Sequence, residues 1–350
     1  AYLQFMYVPA PMTMVQGVEK LEPGMSLFVS PSGVERNRYF SLEQSAEKKS
    51  RLSYEEVQTQ LIEQLTASVQ KRLISDVPLG TFLSGGIDSS VISTIASRYV
   101  DGLQTFSIGF KDNPFIDETY YARLVAKKIH SQHTEIQIDN AKLEESLFEI
   151  LNNIDEPFAD SSAIAVHVLC KYVKPHVTVA LSGDGADEIF AGYHKHFAHY
   201  NQLQHKGLNS VVAAAYPLLK HLPQSRSNAL LNVFRKIVKY AEGASMTTAE
   251  AYYKWCSFAS ENDALALLHD TNVDVTALKS RYFTFGEAVT MNDILLADQK
   301  LVLANDMLTK VDRMSMDNSL EVRTPFLDHT FVEFVNSLPS EYDINGKKKK

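Results

Sequence analysis

Between Leu79 and Gly192 the chain alternates short apolar runs with stretches of helical spacing, and no other feature limits its fold so tightly. The runs are Leu79–Leu83, Thr105–Phe110, Thr134–Ile138 and Val177–Leu181. Segments between them, such as Glu118–His130 and Ser161–Val173, repeat their apolar residues at helical intervals. Strands separated by helices do not close as hairpins. They lie parallel, with helices on both faces of the sheet, so the class predicted is α/β.

The flanks read differently. Prolines and glycines punctuate the first forty residues around β-prone pieces such as Ser26–Val29, which predicts hairpins. A polar connector, Ser41–Ser53, follows, and the domain boundary is expected there. Val57, Leu61, Leu65 and Val69 then recur every four residues, as in an amphipathic helix. From Tyr193 onward the patterning is helical only. A chain of 350 residues has room for one large domain and a smaller one. It starts at Ala1 without an initiator Met and stops at Lys347–Lys350, so both ends read as cuts in a longer sequence.

The first run leads directly into Ser84-Gly85-Gly86-Ile87-Asp88-Ser89-Ser90, and helical spacing resumes through Val91, Ile92, Ile95 and Ala96. Two glycines allow a tight turn and close approach of a ligand to the backbone. Serine hydroxyls and the amides of a helix N-terminus converge there, where orphan donors and the helix dipole favour phosphate. A plain strand–helix turn capped by Asp88 is the alternative. A Walker loop and a dinucleotide fingerprint are both absent. The motif resembles instead the PP-loop of ATP pyrophosphatases, which cut ATP between its α and β phosphates. An acid among phosphate donors repels the ligand unless a cation intervenes, so Asp88 is a natural Mg²⁺ ligand.

The run Val177–Leu181 ends in Ser182-Gly183-Asp184-Gly185-Ala186-Asp187-Glu188. Glycines again sit at the carboxyl end of a parallel strand, the edge where open α/β sheets place ligands. Three acids within five residues need cations, protons or basic partners. A solvated loop with a capping Asp is the alternative; if both loops face one crevice, Asp187 is a second Mg²⁺ ligand. Asp184 is then the candidate for handling protons or an amine.

Four motifs in order resemble the asparagine synthetase family. They are Ser84–Ser90 after its strand, Thr105–Phe110, Leu181–Tyr193, and Lys310–Met316 followed by Glu321–Asp328. The resemblance implies a PP-loop ATP pyrophosphatase fold (adenine nucleotide alpha hydrolase-like), a parallel sheet with flanking helices. It implies a carbon–nitrogen ligase of asparagine biosynthesis, in which a carboxylate attacks the α-phosphate of ATP. The acyl-adenylate so formed is displaced by ammonia, leaving AMP.

Carried onto this chain, Ser84, Gly85, Gly86, Asp88 and Ser89 would hold pyrophosphate, and Asp88 and Asp187 would ligate Mg²⁺. Phe82 and Ile108 would contact the nucleoside, with Ser182 and Gly183 on its other side. Lys310 matches the lysine that offsets charge building on the phosphoryl oxygens. Read from spacing alone, a helix over Leu295–Val311 buries Leu301, Ala304, Leu308 and Val311 and leaves Lys310 off that stripe. Arg313 and Arg323 either assist or pair with Glu321 and Asp328. Bacterial asparagine synthetases carry Glu where Asp184 stands, a departure that leaves the acceptor open between aspartate and another carboxylate, such as a sugar acid of a surface polysaccharide. Asp155–Ser162 resembles the subgroup with that Asp. Tyr7–Pro11 and Gly17–Gly24 resemble the last strands of the family's N-terminal glutaminase. Residues 1–45 are therefore expected to be a β remnant of that domain, and 54–350 the synthetase domain. With Ala at position 1, the chain alone is expected to use free ammonium rather than glutamine.

Composition narrows the alternatives. A net charge of −8 argues against nucleic-acid or membrane-surface binding, because both partners are anionic. It also disfavours a tRNA-modifying PP-loop protein, as does the cysteine count. Cys170 and Cys256 lack the spacing of a disulfide or metal framework and are expected to be core residues. No apolar run approaches membrane length, and no signal peptide is evident. A cytoplasmic enzyme is expected, as a homodimer if it oligomerises. A β-lactam synthetase-like cyclase shares the adenylation step and would differ in needing no ammonium, and a scaffold without activity would not need Asp88, Asp187 and Lys310.

Overall fold

In a computed structural model the described residues are 1–47, 49–113, 117–225, 228–268, 276–286 and 289–344; Lys347–Lys350 lie outside them. Their strands are β1 (Met25–Ser30), β2 (Gly33–Arg38), β3 (Leu79–Phe82), β4 (Gln104–Phe110), β5 (Gln132–Ile138), β6 (Val179–Leu181) and β7 (Glu321–Arg323). The alternating region gives one parallel sheet in the order β5-β4-β3-β6-β7. All four expected runs are in it, and the α/β class holds. The chain divides into two compact units built from separate stretches. The first is Ala1–Glu43, Asp187–Val302 and Leu338–Lys350; the second is Gln44–Ala186 and Leu303–Ser337.

The second unit holds the sheet. Phe106, Val179, Ala180 and Leu181 are fully or almost fully buried, because helices cover both faces. On one face Phe106, Ile138, Val168, Cys170 and Val173 form a continuous apolar cluster. The helix Tyr54–Leu73 opens with a reciprocal cap between Ser53 and Glu56, and buries Val57, Leu65 and Val69. A helix over Asn140–Asn153, capped by Asp139, is not legible in the apolar spacing quoted above; it leaves Leu147 and Leu151 exposed.

Three expectations are corrected. The region after Tyr193 is not wholly helical: β7 pairs with β6, and its three residues offer only Val322 as an apolar signal. The first forty residues contain one described hairpin, β1–β2, preceded by a short helix, Tyr2–Phe5. The single helix over Leu295–Val311 is instead an α-helix to Asp298, a π-helical stretch Gln299–Met307, and a new α-helix Leu308–Met316. A π turn takes more residues per revolution, so it rotates every later side chain. Lys310 consequently falls on the buried face and Leu308 is only half-buried.

The first unit carries the hairpin and helices. Phe5 packs edge-on to Tyr253 and stacks on Phe283, so the N-terminal segment is anchored in a helical aromatic cluster. Asp298, fully buried, joins three helices: Lys195 pairs with Oδ1, His196 Nε2 lies 3.0 Å from Oδ2, and the Tyr252 hydroxyl donates at 2.8 Å. Burial alone would raise this carboxyl, but Lys195 and His196 outweigh it and hold it well below the usual range. Removing one member of a buried charge cluster strands the others. Asp298→Ala is therefore expected to cost about 3–5 kcal/mol in the unfolding transition of this unit. Because the native carboxyl is depressed, that advantage is present above the ordinary carboxylate range and fades as pH falls below about 4. Denaturation at pH 7 and pH 3 tests this; equal stability of the two proteins at pH 7 would remove the cluster from the account.

Candidate active site

Adjacent parallel strands bring the two glycine loops together. In the second unit β3 pairs with β6 so that Thr81 lies opposite Leu181, and both strands release their loops at the same sheet edge. The helix Ile87–Ala96 begins directly after the first loop, with Gly86 as its N-cap. Its first-turn amides have no acceptors within the helix.

Gly85 has φ +87°, and a Cβ there would lie 2.6 Å from the Ala122 amide nitrogen and from Tyr121 Cβ. Only glycine fits that turn without displacing backbone. Serines hold the loop from inside: the Ser84 amide donates to Ser89 Oγ at 3.1 Å, the two hydroxyls lie 2.9 Å apart, and the Gly86 amide donates to Ser84 Oγ at 3.2 Å. Ser90 Oγ is buried without a hydrogen-bond partner.

Gly183 meets this helix start at backbone distance. A Cβ on it would stand 2.9 Å from the Ser89 nitrogen and 3.1 Å from Asp88 Cβ. Ser182 continues the ladder, its amide donating to the Arg323 carbonyl at 2.8 Å. Its hydroxyl is bonded to Asp184 Oδ2, and the Asp184 amide donates back to Ser182 Oγ at 3.2 Å. Asp184 is thus tied to its own loop. Cys170 beneath is buried, and burial with the Asp184 charge pushes its thiol up to about 12. Such a thiol is an inert core group, as its sequence context suggests.

The remaining expected residues are dispersed. Phe82 and Ile108 are half-buried against the Phe106 cluster. Lys310 is 7% exposed and its ammonium sits 3.0 Å from Asp160 Oδ2, 2.9 Å from Ser162 Oγ and 3.3 Å from Met307 Sδ. Burial opposes ionisation of Asp160, yet Lys310 and the Ser162 amide and hydroxyl outweigh it and lower the carboxyl. Sequence reasoning missed this partner, although Asp160 and Ser162 stand in the Asp155–Ser162 segment it singled out. Arg323 takes a structural role, pairing with Glu321 at 2.7 Å and donating to the Arg72 and Ile74 carbonyls. Asp328 pairs with Arg72 at 2.9 Å and Lys71 at 3.3 Å. Asp187 belongs to the first unit, where its carbonyl accepts from the Gly192 amide at 2.9 Å. Next to it, burial raises Glu188 to about 7, and the Tyr193 hydroxyl donates to that carboxyl at 2.6 Å.

Among the described residues no three His, Cys, Asp or Glu side chains gather as a metal cage. No helix of the described residues is long and apolar enough to cross a membrane.

The asparagine synthase family model matches residues 60–350. Glutamine-hydrolysing asparagine synthetase 1 of Bacillus subtilis is 31% identical, over 99% of this chain and 54% of that protein. Putative glutamine-hydrolysing asparagine synthetase 2 of Methanocaldococcus jannaschii is 31% identical, over 90% and 60%. The chain spans about half the length of the curated relatives it matches. Among solved structures, the NMN synthetase of Francisella tularensis aligns over 41% of this chain and 59% of its own, with TM-score 0.28 and 23% identity. The NH3-dependent NAD synthetase of Campylobacter jejuni aligns over 56% and 98%, with TM-score 0.29 and 12% identity.

If the loop contact positions the phosphate donors, Gly183→Ala will push Asp88 and Ser89 apart from the second loop by a few tenths of an ångström. Affinity for ATP is expected to fall about tenfold while the melting temperature stays within a few degrees, because lost positioning costs on the order of 1.4 kcal/mol. Calorimetric titration checks this, and unchanged affinity would detach Gly183 from the site.

Proposed function

This chain belongs to the asparagine synthase family, and we propose that it forms an amide from a carboxylate, ATP and ammonia, releasing AMP and pyrophosphate. The observation carrying this reading is the seat of Gly183 on the Asp88–Ser89 backbone, which joins the acidic loop to the phosphate-binding helix start.

In the first step a carboxylate oxygen bonds to the α-phosphorus and the bond to the bridging oxygen breaks, so pyrophosphate leaves with the electron pair. Charge grows on the departing phosphates and on the equatorial oxygens. The amides of the helix start at Ile87–Ser89 are fixed before the reaction and need no reorganisation to receive it, while those of Ser84 and Gly86 hold the loop through its serine hydroxyls. Lys310 supplies a fixed cation, oriented by Asp160 and Ser162. Phe82 and Ile108 are assigned to the nucleoside, with Ser182 and Gly183 opposite. Asp88 and Asp187 are the residues assigned to Mg²⁺, which neutralises phosphate charge when bound. In the second step ammonia attacks the carbonyl carbon of the acyl-adenylate and AMP leaves. Ammonium must first lose a proton, the task assigned to Asp184.

Aspartate is the acceptor the family points to. Asp184, one methylene shorter than the family's Glu and bonded to Ser182, favours a second reading in which a different carboxylate, such as a sugar acid, is amidated. Residues 1–45 are assigned to the end of a glutaminase domain and 54–350 to the synthetase. The relatives' names specify glutamine hydrolysis; for this chain ammonia, however delivered, is the nucleophile. Localisation in the cytoplasm and homodimerisation are assigned with the same reading, and the mass in solution tests the second: a monomer removes it.

With ATP, Mg²⁺ and ammonium, a panel of carboxylates scored by pyrophosphate release identifies the acceptor, and products of ADP and phosphate would sink the mechanism. Asp88→Ala is expected to abolish release. Lys310→Ala is expected to lower kcat by about 10²–10³ with a smaller change in KM for ATP, the signature of a group that acts on developing charge. A loss confined to KM would make Lys310 a ground-state binding residue instead.

A further inference from the structure

In the second unit the helix that carries Lys310, Leu308–Met316, packs along the helix Ser162–Val173. One polar tether between them is the Lys310 ammonium itself, bonded to Ser162 and to Asp160 just before it. A single tether leaves two helices free to turn about it. Met314 seats against Ala163 and Ile150, but apolar contact is non-directional and does not fix a rotation. The stretch before Leu308 is π-helical, so no unbroken α ladder fixes the rotation from that side either.

A second tether stands about two turns further on. His167 is 3% exposed and takes no part in the proposed reaction. Its Nδ1 lies 3.0 Å from Asp317 Oδ2, at the end of the Lys310 helix, and its Nε2 lies 3.2 Å from Glu149 Oε2 on the helix Asn140–Asn153. Carboxylates only accept, so a ring between two of them carries hydrogens on both nitrogens and is an imidazolium. Glu149 has another cation, Lys171 at 2.7 Å, and Lys171 with His167 lowers its carboxyl. Asp317 depends on His167 more heavily. It caps the C-terminal end of its helix, where the dipole disfavours an acid. The Asn318 amide lies 3.2 Å from Nδ1 and donates to the Met314 carbonyl at 2.9 Å; with Nδ1–H turned to Asp317, it keeps that carbonyl as its acceptor. Two exposed bonds flank the joint, Asn153 to Asp317 Oδ1 at 2.8 Å and Lys174 to the Ser319 carbonyl at 2.7 Å, and water competes for both.

We propose that His167 is a positioning residue: through Asp317 it fixes the rotation of the Leu308–Met316 helix, and so the direction in which Lys310 meets the phosphate. Lys310 and Asp317 are spaced so that they share one helix face, and the helix Ser162–Val173 grips both. The inference rests on the amide-forming reading, in which Lys310 offsets developing charge, and adds a residue that touches no substrate. A misplacement of about 1 Å costs a reaction up to about a hundredfold. Here a smaller loss is expected, because Asp160 and Ser162 still hold the ammonium.

Two amide variants separate positioning from bulk structure. In His167→Asn the amide nitrogen stands near the place of Nδ1 and can still donate to Asp317; in His167→Gln it stands near Nε2 and reaches Glu149 instead. Pyrophosphate release is measured with ATP, Mg²⁺, ammonium and whichever carboxylate of the panel releases most. His167→Gln is expected to lower kcat about tenfold with KM for ATP within about twofold, while His167→Asn stays within about threefold of the unaltered chain. Asp317→Ala reaches the joint from the other helix and is expected to lower kcat about tenfold too, with a melting temperature within a few degrees, since it relieves the dipole. Lys171→Ala, which removes only the exposed bond to Glu149, is expected to leave kcat unchanged. In a Lys310→Ala background, His167→Gln is expected to lower kcat by less than about twofold further, because no ammonium is left to aim. Equal kcat in the two amide variants, or a tenfold loss that persists without Lys310, would overturn the inference. An unaltered chain that releases no pyrophosphate would count against the amide-forming reading itself, and the inference would fall with it.

Discussion

The site rests on one backbone contact. Gly183 approaches the start of the helix Ile87–Ala96 so closely that a single added carbon would press on Ser89 and Asp88. The approach is available because β3 and β6 are hydrogen-bonded neighbours running the same way, with Thr81 beside Leu181. Parallel neighbours finish at one edge, so whatever follows each strand must share that edge. Glycine in both loops removes the side chains that would hold them apart. Burial of the strands beneath fixes the register, since a slip by one residue would turn Thr81 and Leu181 to opposite faces.

Elsewhere in the second unit charge is managed by pairing rather than by exposure. Lys310 and Asp160 sit mostly inside the second unit, where neither would be tolerated alone. The pair holds the Lys310 ammonium in one orientation, away from bulk water. The π-helical stretch Gln299–Met307 is what turns Lys310 inward. Such stretches strain the helix ladder and are commonly retained where a side chain must be aimed. In the first unit Asp298 does comparable work for three helices, although that cluster carries no proton or phosphate in the proposed reaction.

The parts of this arrangement that could be read in the sequence are local ones. Ser84–Ser89 could be singled out as a phosphate-loop candidate because the turn, the donors and the helix start occupy consecutive residues. The parallel sheet was legible because four apolar runs repeat with helices between them. β7 escaped notice because three residues with one apolar side chain carry no periodicity, and its partner β6 lies about 140 residues earlier. The burial of Lys310 was misread because a stripe drawn at regular helical spacing assumes a ladder without a π turn. Asp160, 150 residues from Lys310, and Lys195, 103 residues from Asp298, find their partners only in the folded chain. The compact units pose the same difficulty: the first is assembled from three stretches, so no linear change of composition marks it.

The central claim is that the loop joined to Asp88 and Gly183 directs a carboxylate to the α-phosphorus of ATP. An acceptor labelled with ¹⁸O in its carboxylate tests this directly, because the bond that forms decides where the label goes. Attack at the α-phosphorus delivers one labelled oxygen to AMP when ammonia completes the reaction, and none to pyrophosphate. Label recovered in inorganic phosphate, with ADP as the other product, would place the attack at the γ-phosphorus and contradict the account.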